Sequence, residues 1–119
     1  MHALVVDDDR LLREVVCEYL QEEGFAVSMA ADGTEALELV RRGAGVDVIV
    51  LDDEMPRLNG RELLSALRAE GREVPVVLVS GSLTLSQEEC ARLGVGPVIR
   101  KPVMLAELLQ AIRNAAHLS

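Results

Sequence analysis

The stretch Val46-Asp47-Val48-Ile49-Val50-Leu51-Asp52-Asp53-Glu54 decides the fold. Residues 46–51 are apolar except for Asp47, and the run then breaks into three acids. A strand with one wet face alternates apolar and polar side chains. One that is apolar almost throughout is covered on both faces, as in a parallel sheet between two layers of helices. Upstream, Ala3-Leu4-Val5-Val6 has the same character and ends in Asp7-Asp8-Asp9. Downstream, Pro75 opens Val76-Val77-Leu78-Val79, which gives way to Ser80-Gly81-Ser82, and Val98-Ile99 is a brief strand reaching Arg100-Lys101-Pro102. Residues 25–29 supply the remaining short strand.

Helical patterns fill the intervals. Residues 10–23 carry Leu12, Val16, Tyr19 and Leu20 on one face and stop at Gly24, a C-cap residue. Asp32 stands three residues before Glu35, a capping arrangement for a helix through Ala36, Leu37 and Val40 to Gly43. Asn59 with Glu62 does the same for a helix through Leu63, Leu64 and Leu67, ending near Gly71. Ser86 and Glu89 form a third box, for a short helix closed by Gly94. The last helix, residues 104–117, shows Leu105, Leu108, Leu109, Ile112 and Ala116. Five βα units in 119 residues describe a small doubly wound α/β domain rather than a barrel. The length fits one compact domain over residues 1–119.

Twelve basic against 20 acidic side chains leave a net charge of −8, which argues against direct nucleic-acid binding. No apolar run approaches the roughly 18 residues of a membrane span, and a short strand followed by charge is no secretion signal. Cys17 and Cys90 make neither a C-x-x-C pair nor a zinc spacing, and are expected to be reduced core thiols of a cytoplasmic protein. Nucleotide-binding glycine motifs are missing from the strand ends.

In a doubly wound sheet, ligands bind outside the carboxyl ends of the strands, where the strand order reverses. The residues there are Asp7-Asp8-Asp9, Asp52-Asp53-Glu54, Ser80-Gly81 and Lys101-Pro102. Crowded carboxylates raise one another's pKa unless a cation intervenes, and oxygen-only ligands suit a hard divalent ion such as magnesium. Such an ion neutralises transferring phosphoryl oxygens, and a carboxylate attacking phosphorus forms an aspartyl phosphate. A lysine supplies a point charge for those oxygens and a serine hydroxyl a donor. Asp9 is expected to cap a helix instead. His2 and His117 are expected to be solvated, and Met55, Leu58 and Met104 to be packing residues.

Leu4-Val5-Val6-Asp7-Asp8-Asp9, Val50-Leu51-Asp52-x-x-Met55-Pro56-x-x-x-Gly60, Val79-Ser80-Gly81 and Lys101-Pro102 together resemble the receiver domain of two-component response regulators. The resemblance covers essentially the whole chain, with the motifs in order and at the right spacing. It implies a flavodoxin-like (βα)5 sheet of strand order 2-1-3-4-5. It also implies a cytoplasmic phosphoprotein that switches its output surface, with self-catalysed phosphotransfer and dephosphorylation rather than a dedicated enzyme activity. Asp52 would be the phosphoacceptor, taking the phosphoryl group from a histidine of a sensor kinase or a phosphotransfer protein. Asp8 would ligate magnesium directly beside Asp52, Asp7 would hold it through water, and the backbone carbonyl of Glu54 would add a ligand. Lys101 would pair with the phosphoryl group, its peptide bond to Pro102 being cis. Ser80 would be the switch hydroxyl. Output, and possible homodimerisation, would use the face of the fourth helix, fifth strand and fifth helix.

Three positions depart from the family. Val98 stands where Tyr or Phe is usual, three residues before Lys101, so a swinging aromatic ring is lost. Gly81 replaces a common Ala and leaves that loop more flexible. Asp53 adds a charge, though strand alternation should point it away from the pocket. Two alternatives compare with this assignment. Val5-Val6-Asp7-x-Asp9 resembles the D-x-D motif of haloacid-dehalogenase-type phosphatases, yet Leu11 stands where Thr or Val is usual and such enzymes need a longer chain. A receiver-like scaffold working by contact without phosphorylation would have no need of the clustered acids. Nothing after Ser119 encodes an effector, and the sequence leaves open a stand-alone receiver or a piece of a longer regulator or hybrid kinase.

Overall fold

The computed structural model describes residues 1–43, 45–53, 58–81 and 86–117. Five strands, β1 (His2–Val6), β2 (Ala26–Ala30), β3 (Val48–Asp52), β4 (Val76–Ser80) and β5 (Val95–Arg100), alternate with five helices. These are α1 (Arg10–Glu22), α2 (Gly33–Arg41), α3 (Gly60–Ala69), α4 (Gln87–Leu93) and α5 (Leu105–His117). All strand pairings are parallel, in the order β2-β1-β3-β4-β5, as expected. The order reverses beside β1, so a crevice opens above β1 and β3.

Strand side chains point to opposite faces in turn, and the sheet sorts its core accordingly. Ala3, Val5, Val48, Val50, Val77, Val79 and Ile99 pack with Val16 and Leu20 of α1 and Leu108 and Ile112 of α5. Leu4, Val6, Ile49, Leu51, Val76 and Leu78 pack on the other face with Leu37 of α2, Leu63, Leu64 and Leu67 of α3, and Leu93 of α4. Both faces of β3 are therefore buried, which is why its sequence shows no alternation.

The helix starts are those the sequence signals. Asp9 and Asp32 accept from Leu12 N–H and Glu35 N–H. Asn59 with Glu62, and Ser86 with Glu89, form complete capping boxes. Gly94 ends α4 in the left-handed region at φ 67°, a conformation that costs a residue without a Cβ nothing extra.

Some expectations shift. β5 is six residues long rather than the brief Val98-Ile99, because Gly96 lies close against the Val76 carbonyl and lets pairing with β4 continue around an irregularity between Val76 and Leu78. Cys17 is buried and Cys90 is half-buried against the second core; both thiols are free. Leu58 packs on the second core, whereas Met104 is 64% exposed at the approach to α5 and is no packing residue. His2 is not simply solvated: its Nε2 lies 2.7 Å from Ser28 Oγ across the β1–β2 edge. Met55 and the side chain of His117 lie outside the described residues.

Candidate functional site

Alternation carries past the strand ends and divides the charged residues between the two faces. Asp7 follows Ala3 and Val5, Asp52 follows Val48 and Val50, and Lys101 follows Ile99, all on the α1/α5 side. Asp53 follows Ile49 and Leu51, and Ser80 follows Val76 and Leu78, on the α2/α3/α4 side.

Asp7 is fixed through its backbone. Its N–H donates to the Ala30 carbonyl at 3.1 Å, and its own carbonyl accepts from Arg13 Nη1 at 2.7 Å. Its carboxylate accepts the Asp9 N–H at 2.9 Å, closing a turn that delivers Asp9 to cap α1. Asp52, the last residue of β3, is 2% exposed, and its Oδ2 accepts a hydrogen bond from Lys101 Nζ at 3.1 Å. Carboxylate oxygens of Asp7, Asp8 and Asp52 all lie within 4.8 Å of one another, with Asp7 and Asp52 buried and Asp8 exposed. The peptide bond from Lys101 to Pro102 is cis.

The electrostatics follow from this crowding. Burial, joined by the charge of Asp52 and a hydrogen bond shared with it, pushes Asp7 up to about 6, against the lowering effect of the Asp9 N–H and of Lys101. Burial alone would lower the Lys101 pKa. The bond to Asp52 and the charges of Asp52, Asp7 and Asp8 more than offset it, so the net shift is upward and the ammonium is held charged. Among the described residues, three carboxylate donors with no nitrogen or sulfur, and negative charge that one lysine does not balance, fit a hard divalent cation entering from the exposed Asp8 side.

Of the residues singled out in the sequence, the structure brings Asp7, Asp8, Asp52 and Lys101 together. Ser80 stands on the same edge, but its hydroxyl donates to Asp53 Oδ2 at 2.8 Å. Asp53 does point away from Asp52, as alternation requires, yet toward the protein rather than the solvent: it is 7% exposed. β3 ends at Asp52, and a carboxylate turned under β4 needs a hydrogen-bond donor. Glu54 lies outside the described residues. Sequence reasoning passed over Arg13; its place one turn into α1 behind Asp7-Asp8-Asp9 was the available signal. Gly60 also proves structural: a Cβ there would come within 2.9 Å of Asp53 Cα and 3.0 Å of the Asp52 carbonyl oxygen. Only glycine lets α3 start so close to the end of β3.

A five-stranded, doubly wound sheet with a lysine-bridged acid cluster at its switch point defines a receiver-type α/β protein. Residues 3–113 match the response regulator receiver domain family, and the chain belongs to it. It is 42% identical over 115 residues to the response regulator MprA of Mycobacterium leprae (strain TN), covering 95% of this chain and 50% of that protein. It is 40% identical over 112 residues to MprA of Mycobacterium sp. (strain KMS), covering 92% of this chain and 48% of that protein. The chain thus spans about half the length of these relatives. Among solved structures, the receiver domain of the Francisella response regulator 1452 superposes with a TM-score of 0.87 at 32% identity, covering 98% of this chain and 97% of that one. The Vibrio cholerae chemotaxis protein CheY4 gives 0.85 at 31% identity, over 96% and 97%. Family membership favours the receiver assignment over the haloacid-dehalogenase alternative.

Proposed function

We propose that residues 1–119 act as one receiver unit that takes a phosphoryl group on Asp52 from a phosphohistidine of a sensor kinase or phosphotransfer protein. The observation that carries this reading is the buried Asp52 carboxylate, bridged to Lys101 at 3.1 Å inside an otherwise acidic cluster. An Asp52 oxygen attacks phosphorus, the O–P bond forms as the N–P bond breaks, and the imidazole leaves with the electron pair. Lys101, already charged and in place, neutralises phosphoryl oxygens as they arrive. Asp8 and Asp52 would hold magnesium directly and Asp7 through water; when bound, the ion would draw phosphoryl oxygens in and offset the repulsion between them and the carboxylates. The raised Asp7 pKa supports this, because burial and the field of Asp52 favour a proton or a cation there.

The donor has a surface to approach. Beside the acids, Asp9, Leu11, Leu12, Val15, Lys101, Pro102 and Val103 line an open cavity of about 400 Å³, with Leu11 72% exposed. We assign the kinase or phosphotransfer protein to this side, and switching, with possible homodimerisation, to the α4–β5–α5 face. No helix among the described residues is long and apolar enough to cross a membrane, which is compatible with a cytoplasmic role. Direct contact with nucleic acid is not part of this reading, given the net charge of −8.

The test is intact-mass spectrometry after incubation with phosphoramidate, in magnesium or in EDTA. One base-labile phosphoryl adduct should form with magnesium only and vanish in Asp52→Asn. A folded chain that never takes up phosphate under these conditions would instead be a contact module working without phosphorylation.

A further inference from the structure

We propose that Asp53 is a positioning residue, a latch that holds the Ser80 hydroxyl away from Asp52 until a phosphoryl group takes it over. The inference rests on the reading of Asp52 as phosphoacceptor and adds a competitor to it. Ser80 Oγ donates to Asp53 Oδ2 at 2.8 Å, and both residues are buried, at 2% and 7% exposure. A serine hydroxyl has one hydrogen to give, so donation to Asp53 and donation toward Asp52 exclude each other.

The backbones on either side are already fixed. Asp53 N–H donates to the Val79 carbonyl at 3.2 Å, and Lys101 N–H donates to the Ser80 carbonyl at 2.9 Å. The start of α3 at Gly60 braces Asp52 and Asp53 from the other side. What can change without moving the sheet is the Ser80 side chain, which has three staggered positions about its first torsion. Asp53 is thus an acceptor on the α3/α4 side and a phosphoryl group on Asp52 an acceptor on the α1/α5 side, with one hydroxyl between them. A hydrogen bond to a charged group biases such a choice by roughly tenfold to a hundredfold. The carboxylate next to the phosphoacceptor therefore sets how much phosphoryl-like ligand is needed to switch the protein.

The experiment titrates beryllofluoride, a phosphoryl mimic, with magnesium into the full chain, following amide shifts of residues 79–81 and 86–100 by NMR. Asp53→Leu, which removes the acceptor, should lower the half-conversion concentration by about tenfold or more. Asp53→Asn, which keeps an acceptor oxygen, should lower it less. In a Ser80→Ala background both Asp53 substitutions should have little effect. If Leu and Asn act equally, and equally with and without the Ser80 hydroxyl, Asp53 works only through its charge and the latch is wrong. It is equally wrong if neither substitution moves the midpoint while the unmodified chain responds. Should Asp53→Leu fail to fold, the Asp53→Asn and Ser80→Ala cycle still decides between latch and charge, because the Asn effect must vanish with the hydroxyl. A chain that does not respond to beryllofluoride, or responds as well after Asp52→Asn, overturns the phosphoacceptor reading and the latch with it.

Discussion

Asp52 and Asp53 are neighbours in sequence and both nearly buried, yet their surroundings oppose each other. On the α1/α5 side, Asp52 sits with Asp7 and Asp8 within 4.8 Å, and Lys101 offsets only part of the charge. On the α3/α4 side, Asp53 receives the Ser80 hydroxyl in a compact buried pair. The first arrangement holds unrelieved repulsion and gains from an incoming cation or proton. The second ties one Asp53 oxygen to a buried hydroxyl, and that contact must be broken before Ser80 can turn elsewhere. One alternation of a strand, a single residue, separates a site poised to bind from a contact poised to hold.

The comparison breaks most readily at Lys101. Lys101→Ala leaves Asp52 buried without its cation, and phosphotransfer from phosphoramidate should slow by about 100-fold or more, read as the rate of adduct formation by mass spectrometry. A loss under threefold would mean that Lys101 is a bystander.

Magnesium sharpens the contrast between the two acids. Asp52→Asn and Asp8→Asn should weaken magnesium binding by more than about tenfold in calorimetric titration, whereas Asp53→Asn should change it far less. Equal losses at 52 and 53 would mean that both carboxylates face the same ion.

The pH dependence tests the stored repulsion. Asp7 titrates near 6 in the folded, metal-free chain and near 3.8 when unfolded. Between these values the folded state keeps a proton that the unfolded chain has released, so stability falls as pH rises from about 4 to 6 and then levels. Asp7→Asn should remove that slope and stabilise the metal-free protein at pH 7 by on the order of 2 kcal/mol, measured by urea unfolding. An unchanged slope would place the repulsion elsewhere. The smallest effect belongs to Gly81→Ala: among the described residues an added Cβ would meet Lys101 Cδ, at an ordinary 3.8 Å, so stability should stay within about 0.5 kcal/mol.

These sites differ in how far the sequence reveals them. The alternation of strands and helices and the helix starts were legible because buried β-branched runs and the boxes at Asn59 and Ser86 act locally, through residues three or four apart, whereas the strand order came only from the family resemblance. Asp7, Asp8, Asp52 and Lys101 were legible because a doubly wound sheet brings all strand ends to one edge. The length of β5 was hidden, since Gly96-Pro97 reads as a turn until Gly96 is seen against the Val76 carbonyl. Asp53 was half legible. Its facing follows from alternation, but its partner sits 27 residues away on β4, and no local signal names it. Val98 packs half-buried on the second core, a placement that spacing alone does not reveal.

The central claim is that the lysine-bridged acid cluster of this edge, not the Asp53–Ser80 pair, does the chemistry, at Asp52. Borohydride trapping tests it most directly: after phosphoramidate and magnesium, reduction converts an acyl phosphate to homoserine, and tandem mass spectrometry locates it. Homoserine should appear at position 52 alone and be lost in Asp52→Asn. Homoserine at 7, 9 or 53 that survives Asp52→Asn would contradict the account.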